Sequence, residues 1–206
     1  MPAQHSHPTD EPTVTIRHRE YDAAKTLLMQ GSSVLLVGGV GSGKSFLSDQ
    51  LLTSLTAGGF SVVKVRGLYD RTPTQWAAVA AAFGVVIPPE LDNRQIETLF
   101  NEQIIQTRGS SERRIVLLID DALRLDYCSA EWINRLARES AAPILASVDF
   151  ALETRADDRS EVAQIFRALW TDGIAERIDL SRLDDSATLR LADTFGEENT
   201  LDLASQ

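Results

Sequence analysis

The stretch Gly38-Gly39-Val40-Gly41-Ser42-Gly43-Lys44-Ser45 leaves this chain few ways to fold. It matches G-x-x-x-x-G-K-[ST] and stands between two segments of different hydrophobic period. Before it, Val34-Leu35-Leu36-Val37 is a continuous apolar run, as expected of a buried strand. After it, the segment Ser45-Phe46-Leu47-Ser48-Asp49-Gln50-Leu51-Leu52 spaces its apolar residues as a helix does. A loop that joins such a strand to a helix N-terminus aims backbone N–H groups and the positive end of the helix dipole at one point, which suits a phosphate. Lys44 can then bridge β- and γ-phosphates and the Ser45 hydroxyl can ligate Mg²⁺, with the residues from Gly38 through Phe46 lining the site.

The rest of the chain supplies the alternation that a parallel sheet needs. Ile16 to Met29 carries Tyr21, Ala24, Leu27 and Leu28 at helical spacing, and Gly31-Ser32 breaks it. Ala57-Gly58-Gly59 stops the helix after the loop, and Ser61-Val62-Val63-Lys64-Val65 reads as a β-branched strand. Thr72-Pro73 has the form of a helix start, with Trp76, Val79, Ala80 and Phe83 on one face. Asn93 to Thr107 is a second helix in the same crossover, turning Ile96, Leu99, Phe100 and Ile104 inward. Further strands are expected at Ile115–Ile119, Pro143–Val148 and, alternating as an edge does, Ala175–Leu180. Further helices are expected at Cys128–Arg138, Glu161–Trp170 and Asp184–Phe195. The expected fold is an α/β three-layer sandwich of the P-loop NTPase kind, with a mainly parallel sheet of about five strands covered by helices on both faces.

Length and composition fit one such core: 206 residues, 43% hydrophobic. Residues 1–13 read as a disordered leader, 14–181 as the core, and 182–206 as the start of a truncated helical lid or a C-terminal tail. No stretch is apolar enough to span a membrane, and Met1 to Asp10 lacks the pattern of a secretory signal, so a cytoplasmic protein is expected. Cys128, the sole cysteine, allows neither an internal disulfide nor a cysteine-based zinc site. His5 and His7 are too sparse to bind metal. A net charge of −10 speaks against direct nucleic-acid binding by this chain, because such binding neutralises phosphates with clustered Lys and Arg. Lysines are confined to Lys25, Lys44 and Lys64, so no Asn/Thr-Lys-x-Asp guanine reader can follow the loop, and adenine becomes the expected base.

Two carboxylates close the run Ile115-Val116-Leu117-Leu118-Ile119-Asp120-Asp121. Ligands of parallel sheets lie outside the carboxyl ends of the strands, which puts Asp120 where it can hold the shell of a Mg²⁺ ion. Asp121 is the candidate base that orients an attacking water, although Asp reaches one methylene less far than Glu, so hydrolysis is expected to be slow or absent. Ser147, closing the next buried run, is either a small polar sensor of the γ-phosphate or a solvated strand end. Arg155, Arg159 and Arg167 are candidates for a phosphate contact in cis or across a subunit boundary.

These elements in this order, with Arg17-His18-Arg19-Glu20 ahead of the first helix, Ile119-Asp120-Asp121-Ala122, and Ala142-Pro143-Ile144-Leu145-Ala146-Ser147, resemble the nucleotide-binding core of the signal-transduction ATPases with numerous domains, within the AAA+ group. The Walker A and Walker B motifs carry the superfamily. The segment from Ala168 through Trp170 to Leu183 is similar to that of the large ATP-binding regulators of the LuxR type. The resemblance implies an ATP/ADP- and Mg²⁺-dependent switch that controls transcription through separate sensor and DNA-binding domains or another protein partner, with possible self-association on nucleotide binding. Asp149 departs from the family, which usually has Arg just after that strand. A binding module without turnover, an AAA+ motor of the transposition type and a small-molecule kinase stay open as alternatives.

Overall fold

Strands that are apolar on both faces must meet protein on both faces, and here they form the centre of the sheet. The computed structural model describes residues 17–68, 75–108, 114–150 and 159–182. The strands are β1 (Ser33–Val37), β2 (Ser61–Arg66), β3 (Ile115–Asp120), β4 (Ile144–Val148) and β5 (Ala175–Asp179). The helices are α1 (His18–Gln30), α2 (Lys44–Ala57), α3 (Ala77–Phe83), α4 (Asn93–Arg108), α5 (Tyr127–Arg138) and α6 (Arg159–Thr171). Every strand pair is parallel, in the order β2-β3-β4-β1-β5. The strands β3, β4 and β1 are buried along their whole length, whereas the edges β2 and β5 mix buried and exposed positions.

Because side chains alternate along a strand, each central strand feeds two cores. Leu35 and Val37, Leu117 and Ile119, and Ala146 and Val148 point to one face, where α3, α4, α5 and α6 cover them with Trp76, Phe100, Trp132 and Phe166 among others. Val34 and Leu36, Val116 and Leu118, and Leu145 point to the other, under Ala24 and Leu28 of α1 and Leu47, Leu51 and Leu55 of α2. The three layers expected from the sequence are present. Arg19–Arg182 forms one compact unit; a second unit, Met1–His18 with Leu183–Gln206, lies almost wholly outside the described residues.

The crossover from β2 to β3 carries two helices, as its length demanded, but α3 is shorter than its pattern suggested. It starts at Ala77, and the chain enters it through Trp76 in a left-handed conformation, φ 67°. Burial explains that departure: the Trp76 indole is 1% exposed, sits 5.6 Å from the Phe100 ring and donates its Nε1–H to Asn93 at 3.1 Å. Tertiary packing of an aromatic outweighs a local backbone preference of about 1–2 kcal/mol. The helix start read at Thr72-Pro73, the leader 1–13 and the helix 184–195 lie outside the described residues. All strands being parallel, their carboxyl ends share one edge of the sheet, and the groups singled out in the sequence gather there.

Candidate functional site

The loop after β1 is held from both sides. Gly38 donates its N–H to the Val148 carbonyl of β4 at 3.1 Å, and Leu180, just past β5, donates to the Val37 carbonyl at 2.7 Å. A Cβ on Gly38 would lie 2.6 Å from the Leu180 carbonyl and 2.7 Å from Ser42 Oγ, so only glycine fits. Gly41 and Gly43 have φ of 77° and 84°, a left-handed turn that lets the loop fold around a point in front of α2. Gly43 caps α2 without any side-chain hydrogen bond, so the positive end of the helix dipole faces the turn of the loop. The Lys44 ammonium folds back over the loop and donates to the carbonyls of Gly38 at 2.5 Å and Gly39 at 2.9 Å. Val40 is the exposed tip, and the buried Ser42 Oγ has no hydrogen-bond partner among the described residues.

Asp120 is 2% exposed, and its Oδ1 accepts two hydroxyls: Ser45 from α2 at 3.1 Å and Ser147 from β4 at 3.0 Å. Strand order explains the meeting, since β4 lies between β1 and β3 and brings Ser147 between the loop and the carboxylate. Ser147 is 1% exposed, so it is not a solvated strand end. Its single proton goes to Asp120, while its oxygen accepts the Asp121 N–H at 2.8 Å. Asp121 itself is half-buried and left-handed, φ 53° and ψ 52°, at the head of a 3₁₀ turn, Ala122–Arg124, whose Arg124 N–H returns to the Asp121 carbonyl at 2.9 Å.

Burial holds the Lys44 ammonium below the ordinary lysine range; Asp149, then Asp121 and Asp120, pull the other way. Asp149, noted in the sequence for replacing an arginine, is thus the foremost of three carboxylates acting on the loop lysine. Of the candidate arginines, Arg167 lies on α6 with its guanidinium over the Phe150 ring, 5.2 Å from the centroid. Arg155 and the Arg159 side chain lie outside the described residues. Sequence reasoning passed over Gly67. It follows β2, donates its N–H to the Asp120 carbonyl at 2.9 Å, and has so little room that a Cβ would overlap the Asp121 carbonyl and come within 2.8 Å of the Arg124 Cβ. Counting one residue beyond the register pair Arg66 and Asp120 sets it beside Asp121, a neighbour relation that parallel pairing of the two strands implies.

The donor set fits a magnesium-bound nucleotide. Magnesium prefers hard oxygen donors, often one or two carboxylates together with substrate phosphates, and the Ser45 hydroxyl and Asp120 carboxylate already stand together. The glycine cradle, the uncapped start of α2 and Lys44 supply backbone donors and positive charge where phosphates would sit.

Solved structures share this fold. Cdc6p from Pyrobaculum aerophilum superposes with a TM-score of 0.55 at 17% identity over 90% of this chain and 49% of its own. The ORC2 protein of Aeropyrum pernix in its ADP form gives 0.58 at 13%, covering 91% of this chain and 54% of its own. Pif1 helicase from Candida albicans gives 0.54 at 19%, covering 87% and 43%. The chain therefore spans about half the length of the structures it resembles. No curated protein matches it at a significant level. Residues 27–168, more than half of the chain, match the model of a family described as the AAA domain. With that match over a phosphate loop, a strand-end carboxylate and an all-parallel sheet, the chain belongs to the AAA domain family and is an AAA-type P-loop NTPase.

Proposed function

We propose that this chain is the Mg·ATP-binding core of a nucleotide-dependent regulatory switch that hydrolyses ATP slowly. The observation that carries the reading is the convergence of Lys44, Ser45 and Asp120 at one sheet edge, with Asp120 Oδ1 already receiving the Ser45 hydroxyl. Lys44 would exchange its contacts with the Gly38 and Gly39 carbonyls for phosphate oxygens, which are stronger acceptors for an ammonium. Ser45 and Asp120 would hold Mg²⁺, which when bound neutralises charge on the phosphate oxygens. Asp121 would take the proton of the attacking water as its oxygen bonds to the γ-phosphorus and ADP leaves. A carboxylate on a short side chain is consistent with slow turnover, as suits a switch that must persist in one state. Adenine is assigned because the sequence has no guanine reader.

The setting in transcription rests on the similarity of Ala168 to Leu183 to LuxR-type regulators, and the partners there would be sensor and DNA-binding domains or a second protein. The net charge of −10 disfavours DNA contact by this chain itself. The test compares wild type with Lys44→Ala for ATP and ADP affinity by calorimetry and for phosphate release. The expected result is a loss of affinity of about 10- to 100-fold, the equivalent of a charge-assisted hydrogen bond. Equal affinity in the two proteins would overturn the reading.

A further inference from the structure

We propose that Gly67 is a positioning residue: by having no side chain it lets the end of β2 close against the Asp121 carbonyl, and so fixes Asp121 in the left-handed conformation that sets where its carboxylate stands. The inference rests on the assignment of Asp121 as the water-orienting group, but its geometry is independent of that role. Two contacts hold the Asp121 peptide from opposite sides. On the β4 side its N–H is taken by the buried Ser147 hydroxyl at 2.8 Å. On the β2 side Gly67 donates to the Asp120 carbonyl at 2.9 Å and leaves room for the Asp121 carbonyl where a Cβ would stand. Within the turn, Arg124 N–H binds that same carbonyl at 2.9 Å. A residue with φ 53° and ψ 52° that is not glycine persists only where its surroundings over-determine it, and these three contacts do so.

The consequence is specific. A methyl group at position 67 pushes on the Asp121 carbonyl and the Arg124 Cβ, and the peptide bond between 121 and 122 must turn or retreat. The Asp121 side chain moves with it, whereas the phosphate loop on β1 is two strands away from β3 and keeps its form. Gly67→Ala should therefore leave nucleotide binding intact and impair the step that needs Asp121. Left-handed backbone also explains why a short polar side chain serves here, since Asp and Asn enter this region more readily than longer residues.

The experiment has two arms on the purified full chain. In the first, ATP dissociation constants, KM and kcat for phosphate release are compared for wild type, Gly67→Ala, Ser147→Ala and Ser147→Thr. Gly67→Ala is expected to lose about 10- to 100-fold in kcat with KM and binding within about threefold, because misplacing a reacting group by about 1 Å can cost that much; Ser147→Ala, which also takes a hydrogen bond from Asp120, is expected to lose both kcat and binding. Ser147→Thr, which keeps the hydroxyl, is expected to recover most of the rate. In the second arm, thermal midpoints are measured for Asp121→Gly and Asp121→Ala, each alone and in the Gly67→Ala and Ser147→Ala backgrounds. Asp121→Gly should be the more stable of the pair in the wild-type background and lose that advantage in the others.

Wild-type kcat in Gly67→Ala, from an enzyme that does release phosphate, overturns the positioning role while leaving the hydrolytic reading in place. Absence of phosphate release from wild type overturns the hydrolytic reading, and the thermal arm then decides alone: a lost glycine advantage supports the lock, an unchanged one overturns it. Should Gly67→Ala fail to fold, the same readings are taken with Gly67→Ala in an Arg124→Gly background, which removes the side-chain atom that the added methyl meets.

Discussion

Lys44 is the residue whose chemistry is most exposed to test, because its ammonium is both desolvated and turned onto its own loop carbonyls. Its place at the sheet edge was legible from the motif alone, as were those of Ser45 and Asp120, since fixed spacing ties each to a strand end or a helix start. Asp121→Asn keeps the left-handed turn and removes the proposed base, so ATP affinity should stay within about threefold of wild type while phosphate release falls about 10²-fold, read by a coupled phosphate assay. Release at the wild-type rate would remove Asp121 from the chemistry. Cys128 offers a second residue-scale check: burial first, then Asp126, Glu97 and Glu131, pushes its thiol above the ordinary range. The thiolate is the disfavoured form, so iodoacetamide labelling should be slow at about pH 7.5 and speed up with pH past the point where a free thiol has levelled off. Two things at this scale were not legible in the sequence: the left-handed backbone of Asp121 and the double use of the Ser147 hydroxyl. Both arise from neighbours that are close in space and far apart in sequence.

Elements were legible wherever periodicity was strong, and shifted where packing decided. The β3, β4 and β1 runs could be placed because continuous apolarity has one use in a parallel sheet, and α4 and α6 came within two residues at each end. The start of α3 moved because Trp76 is bound up in an aromatic cluster that no local pattern displays. In that cluster Phe100 of α4 lies 5.6 Å from both Trp76 and Trp132, and Phe83 of α3 lies 6.0 Å from Phe100. The same helix supplies Asn101 to accept the Trp132 Nε1–H at 3.0 Å, as Asn93 does for Trp76. Truncating Phe100 to alanine should therefore cost about 3–5 kcal/mol in urea unfolding, the usual range for a core aromatic. A cost below about 1 kcal/mol would mean that the cluster is not what holds α3 and α4 to the sheet.

For the whole molecule the central expectation is linkage between ligand and fold. ATP with Mg²⁺ at about 100 times its dissociation constant should stabilise the native state by about 2.7 kcal/mol, which for a chain of this size raises the thermal midpoint by about 5–10 °C. Lys44→Ala at the same nucleotide concentration should show little of that rise in a calorimetric scan, and an undiminished rise would place the binding energy elsewhere. Strand order was beyond the reach of the sequence, because runs of similar apolarity carry no label for their neighbours. That order has a mechanical corollary. The two sides of the candidate site, the loop on β1 and the carboxylate on β3, stand two strand spacings apart with β4 as the shim between them. Strand spacing is fixed at about 4.8 Å by main-chain hydrogen bonding, whatever the side chains are. Substitutions in β4 can thus change which groups reach into the gap, but its gauge is a property of the backbone and is shielded from mutation.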